Sequence, residues 1–304
     1  MIKKIITTCI GLMLGLAIFT TGLIAIAILV TYPKLPPLDS LQHYQPKMPL
    51  TIYSADGQII GVYGEQRREF TKINDFPDIL KNAVIAAEDK RFYEHWGVDV
   101  WGIARAAISN IVAGGVQSGA STITQQVAKN FYLSSERTFT RKFNEALLAY
   151  KIEQSLSKDK ILELYFNQIY LGQRAYGFTS AAQIYFNKNV KDLTLAEAAM
   201  LAGLPKAPSA YNPIVNPERA KLRQTYILNN MLEEGMITSQ QRDDALKEEL
   251  HYERFVQKID QNALYVAEMV RQELYEKYGE EAYTQGFHVY TTVNTANQRV
   301  ATEA

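Results

Sequence analysis

Two glutamates in different company carry the first chemical suggestion. Glu88 closes an apolar stretch, Ile79 to Ala87, and is followed by Asp89, Phe92 and His95. If the helix runs on, Glu88, Phe92 and His95 fall at i, i+4 and i+7 on one face, while Asp89 points about 100° away. A carboxyl at the edge of an apolar face is one whose proton affinity rises towards the working pH, as general acid–base chemistry requires. A solvated helix end is the plainer alternative for this segment alone. Glu145 instead lies in a basic run: from Lys129 to Lys151 there are five cations (Lys129, Arg137, Arg141, Lys142, Lys151) and two glutamates (Glu136, Glu145). Arg141 and Glu145 are spaced i, i+4, which a simple surface ion pair would also explain. Between the two glutamates, Gly114 to Asn130 is a glycine-rich stretch opening into a helix expected to be capped by Ser121, and its first N–H groups suit an anion or a sugar oxygen. Thr122, Gln126 and Lys129 make a polar stripe along it, with a capped surface helix as the plain alternative. Joined, a base, a second glutamate among cations and nearby phosphate-binding groups suit transfer of a sugar from a phosphate leaving group.

Other chemistries drop out. The chain has 32 basic and 32 acidic residues, so bulk electrostatics exclude a nucleic-acid binder. His43, His95, His251 and His288 are never at metal-ligand spacing, no phosphate-binding G-x-x-x-x-G-K-[ST] loop exists, and Gly115-Val-Gln-Ser-Gly119 has the wrong spacing for a nucleophile elbow. Two S-x-x-K matches, Ser155 to Lys158 and Ser157 to Lys160, overlap in a polar helix end without an accompanying K-T-G.

The elements that must position these residues begin with Ile5 to Val30, 26 residues without a charge and long enough to cross about 30 Å of hydrocarbon. This reads as a retained transmembrane helix, since its apolar core is too long for a cleaved signal peptide and no small-x-small site precedes Thr31. Lys3 and Lys4 place the N-terminus in the cytoplasm and the rest outside. Residues 1–33 are read as tail and anchor, 34–60 as a proline-punctuated stalk and a short hairpin turning at Asp56-Gly57, and 61–250 as one mainly α domain of seven to nine helices. Start signals are Asn74, Asp75 and Pro77, Ser121, Thr194 with Glu197, and Asn216-Pro217. Residues 251–304 hold a further helix from Asn262 to about Tyr278 and a strand-like Gly286 to Val293 with no closing element expected after it. This end is read as the start of a second domain in a longer protein.

The residues then become recognisable. Glu88-Asp-x-x-Phe-x-x-His-x-Gly97, Gly119-Ala-Ser-Thr-Ile-Thr-Gln-Gln126, Arg141-Lys-x-x-Glu145 and Lys160-Ile-Leu-Glu-Leu-Tyr-Phe-Asn167 resemble, in order and spacing, the motifs of the peptidoglycan glycosyltransferase domain of class A penicillin-binding proteins. Leu171 to Gly177 and Leu201 to Ser209 resemble later segments of the 1a-like type. The resemblance implies a mainly α, lysozyme-like fold with one N-terminal transmembrane helix, a short β segment and a smaller lobe against the membrane. It implies polymerisation of lipid II into β-1,4 glycan with inversion and release of undecaprenyl pyrophosphate. Glu88 would be the general base and Glu145 the second glutamate, near the donor pyrophosphate. Lys129, Arg137, Arg141 and Lys142 would hold phosphates, and Ser121, Thr122, Gln125, Gln126 and Asn130 would line the cleft. Asp89, Phe92 and His95 look like supports of Glu88. The family further implies magnesium or manganese at the pyrophosphate, moenomycin as inhibitor, other cell-wall synthesis proteins as partners, and a location on the outer (periplasmic) face of the cytoplasmic membrane. Transpeptidation is expected only of a longer parent. A lysozyme-type or lytic glycan-cleaving enzyme is one rival, distinguished by release of muropeptides from finished peptidoglycan. A non-catalytic membrane scaffold is the other, for which Glu88→Gln would change nothing.

Overall fold

In a computed structural model, residues 2–42, 44, 46–64, 69–115, 119–133, 138–252 and 259–304 are described. Helix α1 (Ile2–Thr31) has no acidic residue in its first turn and no basic residue in its last, and the window Leu14–Lys34 is long and apolar enough to cross a membrane, with none of it buried in the protein. The segment after α1 is packed rather than a loose tether. Leu38 and Leu41 flank and enter the short α2 (Asp39–Gln42) and are buried in the main helical core. The Lys151 ammonium donates to the carbonyls of Pro36 (2.9 Å) and Leu35 (3.4 Å), and the Tyr44 hydroxyl donates to Gln168 (2.6 Å).

Strands β1 (Leu50–Tyr53) and β2 (Ile59–Tyr63) form the expected antiparallel hairpin, with Leu50 opposite Tyr63 and an irregularity at Ile52/Tyr53. The turn holds Gly57 at φ +78, a conformation glycine adopts without steric cost. Past the helical body, α12 (Leu264–Tyr278) leads to β3 (His288–Tyr290), which pairs in parallel with β1 to give the order β2-β1-β3. Leu50, Ile52, Ile60, Ala263 and Ala267 make a second, small core between this sheet and α12. Two expectations change here. The hairpin read with the stalk joins a sheet with residues far along the chain, because β1 needed a partner on its second edge. The strand is also followed by a helix, α13 (Thr295–Glu303), capped by the Asn294 side chain and tied back to the hairpin turn by Thr295 and Asp56.

Between these segments stand nine α-helices among the described residues: α3 (Asp78–Glu88), α4 (Val100–Val112), α5 (Ile123–Tyr132), α6 (Phe139–Ser155), α7 (Lys158–Gln168), α8 (Phe178–Phe186), α9 (Leu195–Ala202), α10 (Pro217–Glu233) and α11 (Ser239–Lys247). Their starts follow local chemistry. Reciprocal capping boxes open α5 (Thr122/Gln125), α9 (Thr194/Glu197) and α11 (Thr238/Gln241), and Pro217 occupies the first turn of α10. Tyr165, Phe166, Phe178 and Tyr185 are fully buried at the centre, on α7 and α8. Helix α4 departs from this pattern: none of its residues is buried, and Trp101 (72% exposed), Ile111 (79%) and Val112 (82%) face outward.

Candidate active site

Helix α3 buries Leu80, Ala83, Val84, Ile85 and Ala86, and that packing carries its last residue, Glu88, to the floor of a cleft of about 880 Å3. The helix stops there. Asp89 has an extended φ of −159°, and residues 90–94 form turns, so Phe92 and His95 do not continue the Glu88 face as the periodicity suggested. The reason lies in what Asp89 does. Its buried carboxylate accepts from His95 Nε2 at 3.0 Å and from the Ile123 N–H at 3.0 Å, so the chain must leave the helix to meet the start of α5. His95 Nδ1 accepts from the Gly97 N–H, 3.2 Å, which assigns the Nε2 proton to the Asp89 side. Gly97 lies at φ +89 and packs so closely on α6 that a Cβ would come within 2.7 Å of the Ala149 carbonyl. Phe92 is fully buried with the Lys158 ammonium 4.5 Å from its ring centroid. Asp89, His95 and Phe92 therefore tie the end of α3 to α5 and α7, and none of them lines the cleft.

The start of α5 differs from expectation by one residue. Thr122, not Ser121, is the cap: its Oγ1 accepts from the Gln125 N–H and donates to the Gly97 carbonyl at 2.6 Å, while Gln125 Oε1 accepts from the Thr122 N–H. Thr122 and Gln125 are thereby buried and turned away from the cleft, and the Ile123 and Gln125 N–H groups are used within the protein rather than offered to an anion. Ser121 is freed for the cleft, where its Oγ meets the Lys142 ammonium at 2.9 Å. Gln126 and Lys129 line it as well, and Asn130 is exposed outside it. Arg137, Val116, Gln117 and Ser118 lie outside the described residues.

Glu88 is held between two walls. Its Oε2 accepts from Gln126 Nε2 at 2.9 Å, and its Oε1 is 3.5 Å from Arg223 Nη2 on α10. Burial pushes its carboxyl above the ordinary value. The Gln126 bond and the Arg223 and Lys206 charges pull the other way, and Asp89 adds to the rise. On the α6 wall Glu145 is buried and paired with Lys142 and with Arg141 Nη1 (3.5 Å). Arg141 Nε is buried without a partner among the described residues. Among the described residues six cations line the cleft (Lys129, Arg141, Lys142, Lys206, Arg219, Arg223) against two carboxylates, a strongly positive field in a neutral chain. Among the described residues that line the cleft, Glu145 is the one carboxylate from α5 or α6, and cations engage both its oxygens. Among the described residues no three His, Cys, Asp or Glu side chains cluster as a metal would need. The described side chains of this α5–α6 wall are cationic donors rather than the oxygen ligands that a resident magnesium or manganese ion needs.

The α10 side of the cleft holds lining residues that were not among the site residues expected from the sequence. Arg219, Arg223 and Tyr226 stand at i, i+4 and i+7 on α10, and Lys206 sits in the Leu201–Ser209 segment. The helical spacing of two arginines and a tyrosine was a usable signal, but only tertiary packing shows which side of α10 faces Glu88.

The chain matches the transglycosylase family over residues 56–232. Penicillin-binding protein 1A of Neisseria cinerea is 87% identical over all of this chain, which covers 38% of that protein. The Pseudomonas aeruginosa protein of the same name is 47% identical over all of the chain and 36% of its own length. The crystal structure of penicillin-binding protein 1A from Haemophilus influenzae, 35% identical, aligns over 85% of this chain and 29% of that one with a TM-score of 0.50.

Proposed function

This chain belongs to the transglycosylase family of class A penicillin-binding proteins, with the family's mainly α, lysozyme-like fold and glycosyltransferase activity, and on that premise we propose that it polymerises lipid II at the cleft around Glu88. The observation that carries the reading is the largely buried Glu88 carboxylate in a cleft lined by cations, two of which, Arg141 and Arg223, keep a guanidinium Nε without a partner among the described residues. In the reaction the 4-hydroxyl of an acceptor sugar attacks the anomeric carbon of the donor. A C–O bond forms to the acceptor, the bond from that carbon to the phosphate oxygen breaks with inversion, Glu88 takes the hydroxyl proton, and the electron pair leaves on undecaprenyl pyrophosphate. Gln126 keeps one carboxylate oxygen fixed, leaving the other to receive the proton. Lys129, Arg141 and Lys142 stabilise the charge growing on the leaving diphosphate, and Glu145 holds Arg141 and Lys142 in place.

Membrane placement supports the same reading. Helix α1 anchors the chain, Lys3 and Lys4 put its N-terminus in the cytoplasm, and the outward-facing apolar residues of α4 rest on the outer leaflet, where the lipid tail of the substrate remains. The chain spans 38% of the length of the Neisseria relative. Transpeptidation belongs in this reading to a longer parent protein, and other cell-wall synthesis proteins are its proposed partners.

The test is polymerisation of purified lipid II in detergent, wild type beside Glu88→Gln, with glycan resolved on a gel and moenomycin as inhibitor. Polymer from wild type alone, abolished by moenomycin, is expected, with a loss on the order of 10²- to 10⁴-fold for the variant. Polymer from both proteins overturns Glu88 as base. Muropeptide release from finished peptidoglycan would turn the reading to a glycan-cleaving enzyme, and bound but unreacted precursor to a scaffold.

A further inference from the structure

Arg223 is 8% exposed yet poorly committed. Its Nη2 lies 3.4 Å from the Ala87 carbonyl and 3.5 Å from Glu88 Oε1, both long for charge-assisted bonds, and its Nε is buried with no partner among the described residues. A buried guanidinium with five donors ordinarily saturates them. The stem is pinned, since even a Cβ on Gly203 would come within 2.9 Å of Arg223 Cγ, and the guanidinium stacks 4.9 Å from the Tyr226 ring with Tyr211 at 5.9 Å. The head group lines the cleft, beyond the pinned stem.

Resting on the assignment of Glu88 as base, we propose that Arg223 is a shared counter-ion: it faces Glu88 before substrate binds and turns to a phosphate oxygen of bound substrate, releasing the base only when substrate is in place. The groups around Glu88 favour this exchange. Gln126 from α5 keeps its bond, with the Tyr165 hydroxyl on α7 donating to Gln126 Oε1 at 3.5 Å. Lys206 supplies a cation not in direct contact, and Asp89, next in the chain, opposes a second negative charge. Once Arg223 turns away, Glu88 keeps one neutral donor and becomes the stronger base. No covalent bond changes in the switch. Arg223 is thus a positioning residue for Glu88 as well as a phosphate contact, and it couples occupancy of the cleft to proton transfer.

The experiment is the pH dependence of lipid II polymerisation by this chain, where the acid limb of kcat/KM reports the free enzyme and that of kcat the complex. In wild type the kcat limb is expected at higher pH than the kcat/KM limb. Arg223→Gln should lift the kcat/KM limb onto the kcat limb and lower kcat/KM by roughly 10- to 100-fold. Arg223→Lys, which retains a point charge, should restore part of the separation. Coincident limbs in wild type, or an Arg223→Gln profile with the wild-type separation, overturn the proposal. If Arg223→Gln fails to fold, as its melting curve would show, the wild-type limbs and the lysine variant decide the matter. Activity of Glu88→Gln in the same assay would instead remove the base assignment, a failure distinct from that of Arg223.

Discussion

Asp89 is the neighbour of the assigned base, yet the structure gives it a different task, and the difference has a measurable size. Its carboxylate is the acceptor for two buried donors, His95 Nε2–H and the Ile123 N–H, each at 3.0 Å. In Asp89→Ala both lose their acceptor, and each orphaned buried donor costs about 1 to 3 kcal/mol, so the loss is roughly 2 to 6 kcal/mol. Asp89→Asn is milder. Its carbonyl can still accept from Ile123, but its NH2 then faces the His95 Nε2–H. Moving that proton to Nδ1 would orphan the Gly97 N–H, which donates there at 3.2 Å. Even with the amide carbonyl shared between Ile123 and His95, the NH2 stands where an oxygen 3.0 Å from Nε2 stood and opposes that N–H, costing about 1 to 3 kcal/mol, or roughly 2 to 12 °C in melting temperature. Thermal melts in detergent should order wild type above Asp89→Asn above Asp89→Ala. Combining Asp89→Asn with His95→Gln should cost less than the sum of the two, because the pair acts as a unit. Melting temperatures for both Asp89 variants within about 1 °C of wild type would refute the structural role and leave Asp89 free to act as a reactant.

Thr122→Val should cost about 1 to 2 kcal/mol by removing the α5 cap and its bond to Gly97, and Ser121→Ala less than about 0.5 kcal/mol; equal losses in a denaturation series would contradict the one-residue shift of the cap. Lys151→Met should cost about 1 to 2 kcal/mol and speed proteolytic cleavage within residues 35–44, since the Leu35 and Pro36 carbonyls lose their donor; unchanged cleavage would mean that the segment is held by Leu38 and Leu41 alone. Glu88 makes folding pH-dependent in a defined sense. Its carboxyl, raised by burial, binds protons more tightly folded than unfolded, so its contribution to stability declines as pH rises from the ordinary carboxylate value through the folded one. Glu88→Gln removes that slope, and melting curves of the two proteins should diverge with rising pH in favour of the glutamine variant. A difference constant across pH would show that Glu88 titrates normally. Gly97→Ala should destabilise by more than about 1 kcal/mol, since φ +89 and the Ala149 carbonyl both oppose a side chain; a melt equal to wild type would contradict that packing.

Local chemistry was legible in the residues themselves. The charge-free run became one long exposed helix, Asp56-Gly57 turned a hairpin, and Thr194 with Glu197 opened α9, because backbone length, turn preference and capping act over a few residues. The motifs around Glu88, Gln126, Arg141 and Glu145 were legible for the same reason, since type and spacing are linear properties. Periodicity misled at Phe92 and His95, where it assumed a helix that Asp89 ends in order to reach Ile123. The capping signal misled at Ser121, where the bond from Thr122 to Gly97 selected the neighbouring residue as cap. Tertiary packing alone brought Arg223 to Glu88 and to the Ala87 carbonyl, a partner 136 residues away in the chain, and it alone paired β1 with β3. Those contacts arise where α10 packs on α3 and where a strand edge finds its partner. The free energy that selects them belongs to apolar surface buried between distant segments, which no spacing within either segment encodes.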